Sequence, residues 1–158
     1  MTNRPQRSEP AALTTVRRLL LLLLGIGMIG TATDLLLLDH YEDVWQLPPL
    51  ALIAASLVVV VWVSVSSGGR AVIVLRIVMA CFIAAGGAGI LLHYRGNREF
   101  QREIDPALAG WALVVKVMRA KAPPALAPAS MIQLGLLGLL YTYRHPALRS
   151  RVSHESTE

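Results

Sequence analysis

Residues 19–38 constrain this chain more than any other part of its sequence. Ten of these twenty residues are leucine, and only Asp34 carries a charge. A helix of about 20 residues covers the ~30 Å of hydrocarbon in a bilayer, so the stretch predicts a membrane span. A carboxylate within a span costs at least ~2.5 kcal/mol on insertion scales, which makes Asp34 the first candidate for a functional residue.

Three further apolar stretches follow. Residues 45–69 carry no charge, residues 71–92 contain only Arg76, and residues 122–143 carry none. Prolines delay the last helix to about Pro128, which suits a first helical turn. The sequence predicts an all-α integral membrane protein, a bundle of four transmembrane helices over about residues 17–38, 48–67, 71–93 and 128–144.

The charges flanking these stretches predict the orientation. Arg17 and Arg18 precede the first span, whereas the first connecting loop is acidic. Positive residues favour the cytoplasmic side, so both termini are expected there. The first helix also resembles a signal peptide, but its apolar run resumes at residues 35–38, and we expect it to remain as a span.

The loop between the third and fourth spans contains a predicted helix of its own. Asp105 and Pro106 suit the N-cap and first position of a helix, and apolar residues recur after them at helical spacing. About a dozen residues cannot cross a bilayer, so we expect an amphipathic interfacial helix over about residues 106–121, with a lid over the bundle as the alternative. Outside the transmembrane domain (16–146), residues 1–15 and 147–158 are expected to be cytoplasmic tails, the second one disordered.

Small residues predict where the helices pack closely, because they let backbones approach each other. The predicted packing residues lie on the first, third and fourth spans: Gly27, Gly30, Ala84, Ala88, Gly89, Gly135 and Gly138. Gly27 and Gly30 share a helix face with Asp34, which directs this carboxylate toward the bundle or a partner.

One polar layer is predicted near the outer surface. Asp34 and Thr31 in the first span lie at nearly the depth of Ser130 and Gln133 in the fourth, whereas Arg76 is ~15 Å away in height and is expected to snorkel to the cytoplasmic interface. Either Asp34 fixes helix register through a hydrogen bond to Gln133, or it is a proton- or ligand-binding carboxylate.

A second candidate site lies at the outer rim. His40 and His93 end the first and third spans, and Asp39 and Glu42 accompany them. These residues are either polar residues of the membrane interface or ligands of a haem or metal ion.

Composition excludes several classes of function. The net charge is +5, but the basic residues flank apolar runs, which predicts contact with lipid head groups and not with nucleic acid. No nucleophile–base arrangement or phosphate loop is present, so we expect no catalysis and no cofactor. The leading hypothesis is an accessory or assembly subunit that binds another membrane protein or a second copy of itself. The alternatives are a proton-coupled transporter using Asp34 and Gln133, and a redox protein using His40 and His93.

Two segments carry a resemblance. Residues 34–49, and residues 127–148 with Gln133-Leu-Gly and the Tyr-Thr-Tyr-Arg-His-Pro run that ends at Pro146, resemble small four-span bacterial membrane proteins that have no established function. The resemblance implies a bacterial inner membrane and four spans, and it assigns no catalytic residue.

Overall fold

The computed structural model describes residues 11–66, 68–120 and 126–148, and its elements are all helices. They are α1 (Ala11–Leu37), a short 3-10 helix (Val44–Gln46), α2 (Leu47–Val65), α3 (Gly69–Ile104), α4 (Gly110–Met118) and α5 (Leu126–Thr142). Three segments are long and apolar enough to cross a membrane, namely Ala11–Leu37, Val44–Val65 and Gly69–Ile104, and α5 is a shorter apolar helix. The prediction of a helical membrane protein is confirmed at this level.

The predicted tails fall mostly outside the described residues. Residues 1–10 and 149–158 are not among them, and residues 11–15 belong to α1 instead of a tail. The first helix therefore begins earlier than the apolar run alone predicts.

The packing is organised around α3, which contacts α2, α4 and α5. It runs antiparallel to α5, because Gly89 lies beside Pro128 at one end of the contact and Gly69 lies beside Ala147 at the other. α1 packs against α2 and α5. The fully buried side chains are mostly apolar and include Leu24, Met28, Ile53, Leu75, Met79 and Phe82, together with the polar Ser56 and Thr142.

Glycines bring α3 and α5 into backbone contact. A Cβ atom added at Gly86 would lie 2.6 Å from the carbonyl oxygen of Pro128, and one at Gly135 would lie 2.8 Å from that of Met79. A Cβ at Gly138 would meet the Met79 side chain. The distances to the two carbonyl oxygens leave no room for a side chain, so Gly86 and Gly135 require glycine for the observed packing, whereas the flexible Met79 side chain could move away from a Cβ at Gly138.

The other predicted packing residues divide into two groups. Gly27 faces the Leu134 side chain and Gly89 faces Pro128, whereas a Cβ atom added at Gly30 would meet no other described residue within 4 Å. Ala84 and Ala88 are exposed on α3. α3 has small residues on several of its faces. The four-residue spacing of the alanines indicated one face, but the face that packs against α5 is a different one and contains Gly86.

The third predicted span is part of a much longer helix. α3 has 36 residues, about 54 Å at 1.5 Å per residue, so it extends well beyond a hydrocarbon layer of about 30 Å. It stops before Pro106, since the residue preceding a proline disfavours helical backbone, and Asp105 is extended (φ −140°, ψ 92°). The Asp105 carboxylate accepts a 3.1 Å hydrogen bond from the Ala107 N–H.

Asp105 and Pro106 therefore end a helix where the sequence predicted that they begin one. The loop helix starts four residues later, at Gly110, whose φ of +58° suits a residue without a side chain. α4 packs against the extension of α3 through the buried side chains of Leu113 and Val117. Together they form a helical hairpin, which had not been predicted.

Candidate functional site

Three of the four residues of the predicted polar layer line one groove between α1 and α5. Thr31, Ser130 and Gln133 lie there with Gly27 among leucines, and the groove has a volume of about 590 Å³. The antiparallel packing of α1 on α5 brings these residues together, since Gly27 contacts Leu134. The groove opens outward, and Gln133 is exposed.

The hydroxyl groups of this groove are satisfied by their own helices. Thr31 Oγ1 donates to the Gly27 carbonyl oxygen at 2.9 Å, and Ser130 Oγ donates to that of Leu126 at 3.2 Å. Gln133 takes part in none of the side-chain hydrogen bonds formed within the described residues. Gln133 is therefore the polar side chain of this groove that has no hydrogen-bond partner within the described residues, and such an amide costs several kcal/mol wherever it is held in an apolar environment.

Asp34 does not join this groove. It is exposed on α1, outside the set of described residues that line the groove, and it forms no side-chain hydrogen bond or ion pair within the described part of the chain. The predicted hydrogen bond from Gln133 to Asp34 is absent there. A single intramembrane site containing both side chains is therefore not formed in this conformation.

The two rim histidines do come together. The His40 and His93 rings have their centroids 6.1 Å apart and are tilted by 32°. The contact depends on how α1 ends: the His40 N–H donates to the Leu35 carbonyl oxygen at 2.9 Å and the Asp39 N–H to that of Leu36 at 3.2 Å. This pair of bonds is a Schellman C-cap, with Asp39 in the left-handed conformation at φ +52°.

The cap turns the chain so that His40 faces α3. Burial and the neighbouring His93 lower the pKa of His40 below its ordinary value of 6.5. The accompanying acidic residues play other parts: Asp39 accepts a 3.0 Å hydrogen bond from the Tyr41 hydroxyl, which raises the Tyr41 pKa, and Glu42 is exposed. Within the described residues, no group of three or more His, Cys, Asp or Glu side chains could hold a metal ion.

No protein-family model, curated protein or solved structure matches this chain.

Two arginines have a role that the sequence did not reveal. Arg17 of α1 donates to the carbonyl oxygens of Tyr141 (2.7 Å) and Tyr143 (3.2 Å), and Arg76 of α3 donates to that of Thr142 (2.9 Å). Both guanidinium groups therefore cap the carboxyl end of α5, where unpaired carbonyls and the helix dipole favour positive charge. Arg76 binds the protein and does not simply snorkel into the interface.

Proposed function

We propose that this chain is a small polytopic membrane protein that acts as a non-catalytic accessory or assembly subunit of a membrane complex. The observation that carries the proposal is the outward-facing amide of Gln133, in the middle of an apolar helix, with no hydrogen-bond partner in the described residues. A transmembrane helix of a second protein that inserts a polar side chain into the α1–α5 groove would satisfy this amide.

The shape of the groove supports the same proposal. Most of the residues that line it are leucines, so a partner helix that enters the groove would bury apolar surface around the hydrogen bond. Asp34 lies outside the groove on α1, where a donor from the same partner could reach it. A transporter site built from Asp34 and Gln133 receives no such support, since the two side chains do not share a cavity.

We infer four spans, with both termini in the cytoplasm of a bacterial inner membrane. α5 has 17 residues, about 26 Å, which is close to the hydrocarbon thickness. Its antiparallel contacts with α1 and α3 fit alternating directions across the bilayer. Cysteines placed one at a time at Glu42, Arg70 and Arg98 in a Cys81→Ser background test the topology: a membrane-impermeant maleimide should label positions 42 and 98 from outside, and position 70 only after permeabilisation.

Co-purification tests the subunit proposal. The tagged chain is extracted in mild detergent, and co-eluting membrane proteins are identified by mass spectrometry against a mock-tagged strain. We expect one or a few proteins in stoichiometric amount, and their recovery should fall when Gln133 is replaced by Leu. Purification as a lone monomer under every mild condition would contradict the proposal.

A second candidate function is favoured by the histidine pair. The His40 and His93 rings lie close together, with their centroids 6.1 Å apart, and two histidines are enough to bind one haem iron. These two residues would hold the haem, which would supply one-electron redox chemistry. Its test is the absorption spectrum of the purified protein, in which a Soret band should be present and should disappear in His93→Ala.

A further inference from the structure

The hairpin of α3 and α4 contains a groove whose polar groups are incompletely satisfied. It has a volume of about 640 Å³ and is lined by seven described residues: Gln101, Leu108, Ala112, Val115, Lys116, Arg119 and Ala120. Gln101 is only 9% exposed, and its Oε1 is buried with no hydrogen-bond partner. A buried acceptor without a donor is uncommon in native proteins and points to a ligand that supplies one.

The charges of the groove define the rest of such a ligand. Lys116 and Arg119 are exposed, and they are the two cations that line the groove among the described residues. The other lining residues are apolar: Leu108, Ala112, Val115 and Ala120. The matching ligand has an anionic group for the two cations and a hydroxyl or amine donor for Gln101.

The position of the groove indicates that the ligand is a lipid. The continuous apolar run of α3 ends at Leu92, and Gln101 lies about 14 Å further along the helix axis. α4 folds back on α3 as the second helix of the hairpin, so its carboxyl end, with Arg119 just past it, points back toward the apolar part of α3. A phosphate at the level of Arg119 and Lys116 could therefore carry a head group that reaches toward Gln101.

We propose that this hairpin groove binds the head group of an anionic phospholipid that carries a free hydroxyl, of the phosphatidylglycerol type. The phosphodiester accepts hydrogen bonds from Lys116 and Arg119. A glycerol hydroxyl donates to Gln101 Oε1, which a rotation of the side-chain amide brings from its buried position to the groove. Lipid binding at this site does not require a protein partner, so its test is independent of the test of the subunit proposal.

Native mass spectrometry of the full chain tests the site. The detergent-solubilised protein is equilibrated with equal amounts of phosphatidylglycerol, phosphatidylmethanol and phosphatidylcholine that have matched acyl chains. Phosphatidylmethanol is anionic but has no hydroxyl, so it separates the role of Gln101 from that of the cations. We expect the wild type to retain phosphatidylglycerol about tenfold over phosphatidylcholine, with phosphatidylmethanol between them.

The variants assign each part of the head group. Lys116→Gln/Arg119→Gln should reduce retention of phosphatidylglycerol to that of phosphatidylcholine. Gln101→Leu should keep the preference for anionic lipids but lose the difference between phosphatidylglycerol and phosphatidylmethanol. Gln101→Leu removes a buried polar atom that has no hydrogen-bond partner, so the melting temperature of this variant should not fall. An unchanged melting temperature would show that the variant is folded.

Arg95→Gln/Arg98→Gln is the matched control, since it removes two charges from α3 at exposed positions outside the groove. It should leave lipid retention unchanged, and an equal loss in this control would overturn the proposal. Equal retention of the three lipids by the wild type would do so as well. Free glycerol 3-phosphate should not displace the lipid, and displacement at low millimolar concentration would show that the groove takes a soluble phosphate instead.

Discussion

The guanidinium group of Arg76 donates a 2.9 Å hydrogen bond to the main-chain carbonyl oxygen of Thr142 and so joins α3 to the last turn of α5. Its Nε also donates to the Thr142 hydroxyl at 3.3 Å. Arg17 makes the corresponding contact from α1 at 2.7 Å to Tyr141. Arg76, the charged residue of the third apolar stretch, therefore has a structural role: it caps the carboxyl end of α5.

Removing this contact should destabilise the protein. Arg76→Gln loses a charged donor to α5, and we expect the free energy of unfolding to fall by about 1–2 kcal/mol, since Arg76 remains partly exposed. Arg70→Gln is the matched control because Arg70 is exposed in the first turn of α3. Unfolding in SDS, followed by circular dichroism, measures both variants, and equal effects would contradict the capping role.

Two adjacent glycines test the packing of α3 on α5. Gly86→Ala would place a Cβ 2.6 Å from the Pro128 carbonyl oxygen, so the helices must separate and we expect a loss of about 1–3 kcal/mol. Gly87→Ala meets nothing within 4 Å and should leave stability unchanged or raise it by up to about 1 kcal/mol. The same SDS titration compares them, and two variants of equal stability would show that α3 and α5 do not meet at Gly86.

The histidine pair predicts a pH dependence. The pKa of His40 is lower in the folded protein than its ordinary value of 6.5, so the unfolded chain binds this proton more readily. The contribution to stability is complete above about pH 6.5 and is lost as the pH falls through the folded pKa. Unfolding at pH 7.5 and pH 5 should show this loss in the wild type but not in His40→Gln.

His93→Gln separates the two causes of the lowered pKa. The substitution removes the charge that His93 can carry, but His40 remains partly buried. The pKa of His40, followed by NMR of its ring protons, should rise part of the way toward 6.5. An unchanged titration would show that His93 does not influence His40.

The helices were predictable because hydropathy and length are local properties. Apolar runs located α2 and α5 to within about two residues at each end, and located the end but not the start of α1, which begins at Ala11. Counting residues from the span ends placed His40 at the depth of His93. The contact between these histidines still depended on Asp39, which adopts the left-handed conformation. Residues other than glycine seldom adopt that conformation, so the sequence did not predict it.

Other features were not predictable because they depend on tertiary contacts. The continuous apolar run of α3 ends near Leu92, but the helix continues through the more polar residues after it, because the first proline of this segment is Pro106. The hydrogen bonds from Arg17 and Arg76 to carbonyl oxygens of α5 depend on the register in which α5 packs against α1 and α3, and a sequence pattern does not give this register. The interpretation of Asp34 as a partner of Gln133 assumed equal depth, whereas the register brings Thr31 and Ser130 to the groove and leaves Asp34 outside it.

Site-specific photocross-linking tests the central claim, that the α1–α5 groove receives a helix of another membrane protein. A photoreactive amino acid replaces Gln133 in the groove or, as the control, Val58, which is 70% exposed on α2. After irradiation of intact cells, we predict one discrete cross-linked membrane protein from position 133 and none of the same mass from position 58. Cross-linking only to lipid at position 133, or the same products from both positions, would contradict the claim.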